Sequence, residues 1–99
     1  MSLVFNQRTT DGVSLARVLT TDIATVVAKA DPNWERVRLV AELEDVVGAG
    51  TFTLVPDWEM NGPGSQNLIS NGAAGRSVRL RMFGAGLTAN TPSITADID

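Results

Sequence analysis

Between Glu35 and Asp45 the chain alternates in hydrophobicity, with Val37, Leu39, Ala41 and Leu43 on one side and Arg36, Arg38, Val40, Glu42 and Glu44 on the other. A period of two sends successive side chains to opposite faces of a strand, so this segment reads as a β-strand with one mostly apolar face. Such a face needs a second layer to cover it, which makes a layered β fold the natural outcome. Gly48-Ala49-Gly50 and then Thr51-Phe52-Thr53-Leu54-Val55 follow, a glycine turn and the second arm of a hairpin. Pro56 is expected to end that arm, because proline cannot donate to a ladder. The same alternation returns twice. Val78, Leu80 and Met82 interleave with Ser77, Arg79 and Arg81, and Ile94, Ala96 and Ile98 with Thr95, Asp97 and Asp99.

The remaining segments carry weaker patterns. Leu3, Phe5 and Gln7 fit one face of a strand, followed by an Asp11-Gly12 turn and a second strand over 13–19. Over 20–30, Leu19, Ile23, Val26, Val27 and Ala30 fit helical spacing, with Thr20, Thr21 or Asp22 as cap and Asp31-Pro32 as stop. Strand alternation fits there equally well, and Thr25, Val26 and Val27 are poor helix formers, which tips the reading to strand. Residues 56–75, with Asn61-Gly62-Pro63-Gly64 and Asn71-Gly72-Ala73-Ala74-Gly75 around Leu68-Ile69, look loop-like. Val, Ile and Thr supply 25 of the 99 residues, and these β-branched side chains suit a pleated surface. The expectation is an all-β single domain over 1–99, a small antiparallel β-sandwich or barrel, with one short helix around 20–30 as the alternative.

The side chains that are missing bound the chemistry. With no Cys and no His, the chain has no disulfide, no thiol nucleophile, no imidazole base and no His- or Cys-based metal site. Tyr is absent as well. A formal net charge of −3 disfavours generic nucleic-acid binding. Seven of the eight basic residues are Arg, the exception being Lys29; an interface composition and a GC-rich coding sequence explain that bias equally well. No apolar run approaches the ~20 residues needed to span a bilayer. Met1 to Asn6 has neither the basic nor the long apolar part of a signal peptide, so synthesis in a cytoplasm is expected, with no membrane partner.

Carboxylates are the acid–base groups that remain. Asp57 and Glu59 flank Trp58 in a position where a glycosidase-like pair could sit, but neighbours in one loop rarely obtain the two different environments such a pair requires. A solvated acidic loop is the simpler reading, as is a solubilising strand edge for Glu42, Glu44 and Asp45. Calcium at Asp97 and Asp99, or at Asp57, Glu59 and Asn61, lacks a ligand loop, and the glycine runs lack the spacing of phosphate loops. No cofactor is expected. Trp34 and Trp58 lie near polar turns, where tryptophan either caps a small core or is exposed to stack on sugars or anchor an interface. Arg79 and Arg81 are expected to pair across strands with Asp97 and Asp99. Residues 34–60 carry two basic and six acidic side chains, and residues 61–99 three basic and two acidic. Were those segments to face apart, copies could meet through opposite charge.

Taken whole, the chain resembles the small structural proteins of tailed-bacteriophage virions, of the capsid decoration or head–tail accessory type. The likeness lies in the lack of Cys and His, the wealth of Ala, Val, Thr and Gly, the polar start Met1-Ser2-Leu3-Val4-Phe5-Asn6-Gln7-Arg8, and a β core with long turns. It implies a non-enzymatic, homo-oligomeric subunit docked on a larger shell or tube protein and located in the virion. Residues 1–8 would be an N-terminal arm and the 56–75 loops a contact surface. Phe5, Arg8, Trp34, Trp58, Arg79 and Arg81 are the interaction candidates. A carbohydrate-binding β-sandwich module using Trp34 or Trp58 is the alternative, and a carboxylate enzyme using Asp57, Glu59 or Glu42 a more distant one.

Overall fold

The computed structural model describes residues 2–30 and 34–99, which form two antiparallel sheets facing each other. In chain order the strands are β1 (Ser2–Arg8), β2 (Gly12–Val13), β3 (Arg17–Val18), β4 (Ile23–Ala28), β5 (Arg38–Glu44), β6 (Phe52–Met60), β7 (Gly64–Ile69), β8 (Ser77–Phe83) and β9 (Ile94–Ile98). The first sheet runs β1-β9-β4-β7 and the second β2-β8-β5-β6, with β3 also pairing β8. The expected all-β sandwich is the fold. Residues 23–28 are strand and not helix: Ala24, Val26 and Ala28 are buried while the residues between them face outward. A 3-10 turn at Ala85–Leu87 is the only helical piece among the described residues. Asp31-Pro32 lies outside them.

Alternation explains the core. Leu39, Ala41 and Leu43 of β5 and Val78, Leu80 and Met82 of β8 point inward from one sheet, and Val26, Leu68, Ile94 and Ile98 from the other. Leu39, Leu80, Met82, Ile94 and Ile98 are fully buried, and each such side chain stabilises the fold by roughly 1.5–3 kcal/mol. Gly84 is fixed by geometry: its φ is +83°, and a Cβ there would run into the carbonyl of Arg36.

Three expectations about element limits are corrected. Strand β6 continues through Pro56 to Met60, because β6 is an edge strand and an edge tolerates a residue without an N–H. The register with β5 shifts between Val40 and Glu42, and Asp57 takes a left-handed conformation (φ +61°), so the strand passes the proline on a bulge. The second half of the supposed 56–75 loop is then β7, which pairs with β4 without a break from Ile23↔Ile69 to Ala28↔Gly64. Residues 2–8 are not a detached arm. They form edge strand β1 against β9, with two register shifts that let Val4 and Phe5 both turn inward.

Candidate interaction surface

The outward face of the second sheet carries an ordered set of charges and rings. Registers Glu42↔Arg79, Val40↔Arg81 and Arg38↔Phe83 bring β5 and β8 together, and Val40↔Glu59 and Glu44↔Phe52 bring β6 alongside. Glu42 accepts from both neighbours, Arg79 Nε at 2.8 Å and Arg81 Nε at 2.9 Å. Arg38 donates to Glu59 at 3.0 Å. Two guanidiniums also stack on rings, Arg38 over Phe83 at 4.7 Å and Arg79 over Phe52 at 4.1 Å. Burial raises the pKa of Glu42, but the hydrogen bonds from Arg81 and Arg79 outweigh it and hold the carboxyl below its ordinary value. Glu59 is lowered by Arg38, with help from Asn61.

This arrangement overturns two expectations. Arg79 and Arg81 pair with Glu42, not with Asp97 and Asp99, because β9 belongs to the other sheet; Asp97 instead lies 3.8 Å from Lys29. The acidic and basic segments do not face apart either. Strands β5 and β8, which carry most of those charges, are neighbours in one sheet, where Glu42 pairs with Arg79 and Arg81.

Glu44 is likewise no solubilising edge. Its side chain is almost fully enclosed, and its carboxylate accepts the backbone N–H of Gly50 (3.0 Å) and of Ser77 (3.1 Å). Its own carbonyl accepts Arg76 Nε at 2.6 Å. The N–H groups of Gly50 and Ser77 lower its pKa, against some opposition from burial. Next to it, Asp45 accepts from the hydroxyls of Thr53 and Thr51, which lower its pKa too. One buried carboxylate thus ties the β5–β6 turn to the start of β8.

The six candidate residues do not form one site. Phe5 is in the core, at 3% exposure. Arg8 folds back to donate to the carbonyls of Thr10 and Asp11, both at 2.7 Å, and so shapes its own turn. Trp34 is half-buried against the core, with its indole N–H 3.3 Å from the Lys29 carbonyl. Trp58 is 7% exposed, packs in the core and donates to the Asn67 carbonyl at 3.1 Å. Arg79 and Arg81 are the pair that the fold brings together. Glu42 as the partner of both, Phe52 under Arg79 and Phe83 under Arg38 were missed, although Arg-x-Arg on one strand and a glutamate on the outward face of another is a signal that could have found the ion pairs.

Asp57 and Glu59 share a shallow depression with Arg38, Val40 and Leu54. The lowered pKa of Glu59 is opposite to what a general acid near neutral pH requires. Among the described residues no three acidic side chains gather to hold a metal ion. None of their helices is long and apolar enough to cross a membrane. Compared with known proteins, the chain matches no family model, no curated protein and no solved structure.

Proposed function

We propose that this chain is a non-enzymatic structural protein of a tailed-bacteriophage virion, a capsid decoration or head–tail accessory subunit that stabilises an assembly through contacts with copies of itself and with a larger shell or tube protein. The observation that carries the reading is the Arg–Phe–Glu face of the second sheet. Arg and aromatic side chains supply much of the binding energy at protein interfaces, and here they are held in place before any partner arrives, so little ordering entropy remains to be lost. The carboxylates serve that face and the neighbouring turn, each held in its charged form, which suits a scaffold better than an acid catalyst. The carbohydrate reading loses its platform, since Trp58 is enclosed and Trp34 is packed against the core.

The test is the composition of purified phage particles induced from the host that encodes the chain. The reading predicts the protein in many stoichiometric copies per particle, retained through density-gradient purification. Its recovery only in the particle-free fraction would contradict it.

A further inference from the structure

Each sandwich has four strand edges, and three of these carry a feature that blocks pairing. β6 has Pro56, a bulge at Asp57, and the charges of Asp57 and Glu59. β1 has two register shifts, and its Val4 carbonyl already accepts the N–H of Leu15. β2 and β3 are two residues each. Strand β7 differs in its regularity, although one of its carbonyls, that of Asn67, already accepts the Trp58 indole N–H. It pairs with β4 over six residues in unbroken register, and its sequence, Gly64-Ser65-Gln66-Asn67-Leu68-Ile69, has no charge and no proline. Long, regular, uncharged edges are what soluble proteins avoid unless another strand covers them.

The backbone direction follows from the ladder. Thr25, opposite Asn67, gives its carbonyl to Asp99 on the β9 side, and Ser70 donates to Asp22 on the β4 side, so Asn67, and by alternation Ser65 and Ile69, turn their backbone groups to the open edge. The Trp58 indole takes one lone pair of the Asn67 carbonyl. The Asn67 carbonyl keeps a second lone pair for another donor.

We propose that β7 is the site where two copies of the chain join, by antiparallel pairing of β7 with β7 about a two-fold axis, to give one continuous eight-stranded sheet. This deepens the reading above, and rests on it for the biological setting, by naming where copies meet. Charge selects the second copy. The chain is net acidic, yet residues 60–75 are entirely uncharged, so two identical edges approach without like-charge opposition. A two-fold centred on Asn67 sets each copy's Ile69, 68% exposed beside the half-exposed Ile23, opposite the other's Ser65. An aliphatic pair left in water by the monomer thereby gains cover.

Sedimentation of the full chain at micromolar to high micromolar concentration, at low and high salt, tests this together with Ser65→Lys, which places a charge on the edge. Circular dichroism establishes that the variant is folded, and Ile69→Lys serves as a second variant if it is not. The expected result is a mass tending to twice that of the chain at both salt concentrations, a tenfold or greater weakening in the lysine variant, and slowed exchange of the Ser65, Asn67 and Ile69 amides as concentration rises. A monomer throughout with fast-exchanging edge amides, leaving the edge for a foreign strand, would overturn the proposal. So would a dimer that salt dissociates, or one that the folded lysine variant keeps. None of these results bears on whether the chain is found in particles, so the two proposals fail separately.

Discussion

Glu44 does more for this fold than its place on a strand edge suggests. Its two oxygens take the N–H groups of Gly50 and Ser77, which would otherwise lack partners at the end of the sandwich. Glu44→Gln keeps one acceptor oxygen but sets an NH₂ against a backbone N–H, and thermal unfolding should show a clear loss of stability. Because the folded-state pKa lies below the ordinary one, the unfolded chain binds more protons between the two values, and stability rises with pH across that window. The stabilisation is complete above the ordinary carboxylate range and is lost as pH falls from there through the lowered folded-state value. The variant should therefore have a flatter acid limb as well as a lower midpoint. Glu42 serves two arginines at once, so Glu42→Ala strands both half-buried guanidiniums and should cost about 1–3 kcal/mol in denaturant titration. Gly84→Ala adds a Cβ in a left-handed conformation against the Arg36 carbonyl; with strain alone costing about 1–2 kcal/mol, the collision should push the total beyond that.

At the scale of elements, β8 and β9 were legible because each has one buried and one outward face, and β5 because its apolar and polar residues alternate even though Val40 and Glu44 are covered as well. The Asp11-Gly12 turn was legible for its residue chemistry. Strand β6 beyond Pro56 was not, since an edge can carry proline and a bulge re-phases the pattern at Asp57. β1 hid for a similar reason: its register shifts turn adjacent residues Val4 and Phe5 inward together, which no period-two reading allows. β7 was concealed because only Leu68 is buried among its six residues. Of the candidate surface, the arginines could be read, whereas their partners depend on which strands are neighbours, and sequence alone leaves that open. β9 sits between β1 and β4 in its sheet, so removing residues 94–99 deletes a central strand and should abolish cooperative unfolding by calorimetry. Leu80→Ala, at a fully buried position in β8, should cost about 2–5 kcal/mol while leaving the fold intact.

The whole molecule is elongated, 40 × 22 × 21 Å, with ionic groups concentrated on one sheet face and a neutral edge on the other sheet. The first strand pairs with the last, Ser2↔Ile98, so most of the chain must be gathered before that contact forms. Folding should accordingly take milliseconds to seconds in stopped-flow measurements, as for other sandwiches rich in long-range pairs. The central claim is that hydrogen bonds of this framework hold Glu42, Glu44, Asp45 and Glu59 in their charged form. A site-resolved NMR titration of the glutamate and aspartate side-chain carboxyls tests it most directly. Glu42, Glu44, Asp45 and Glu59 are each predicted to titrate below their ordinary values, for the hydrogen-bonding reasons given above. Glu42 or Glu59 titrating well above the ordinary range would contradict the account.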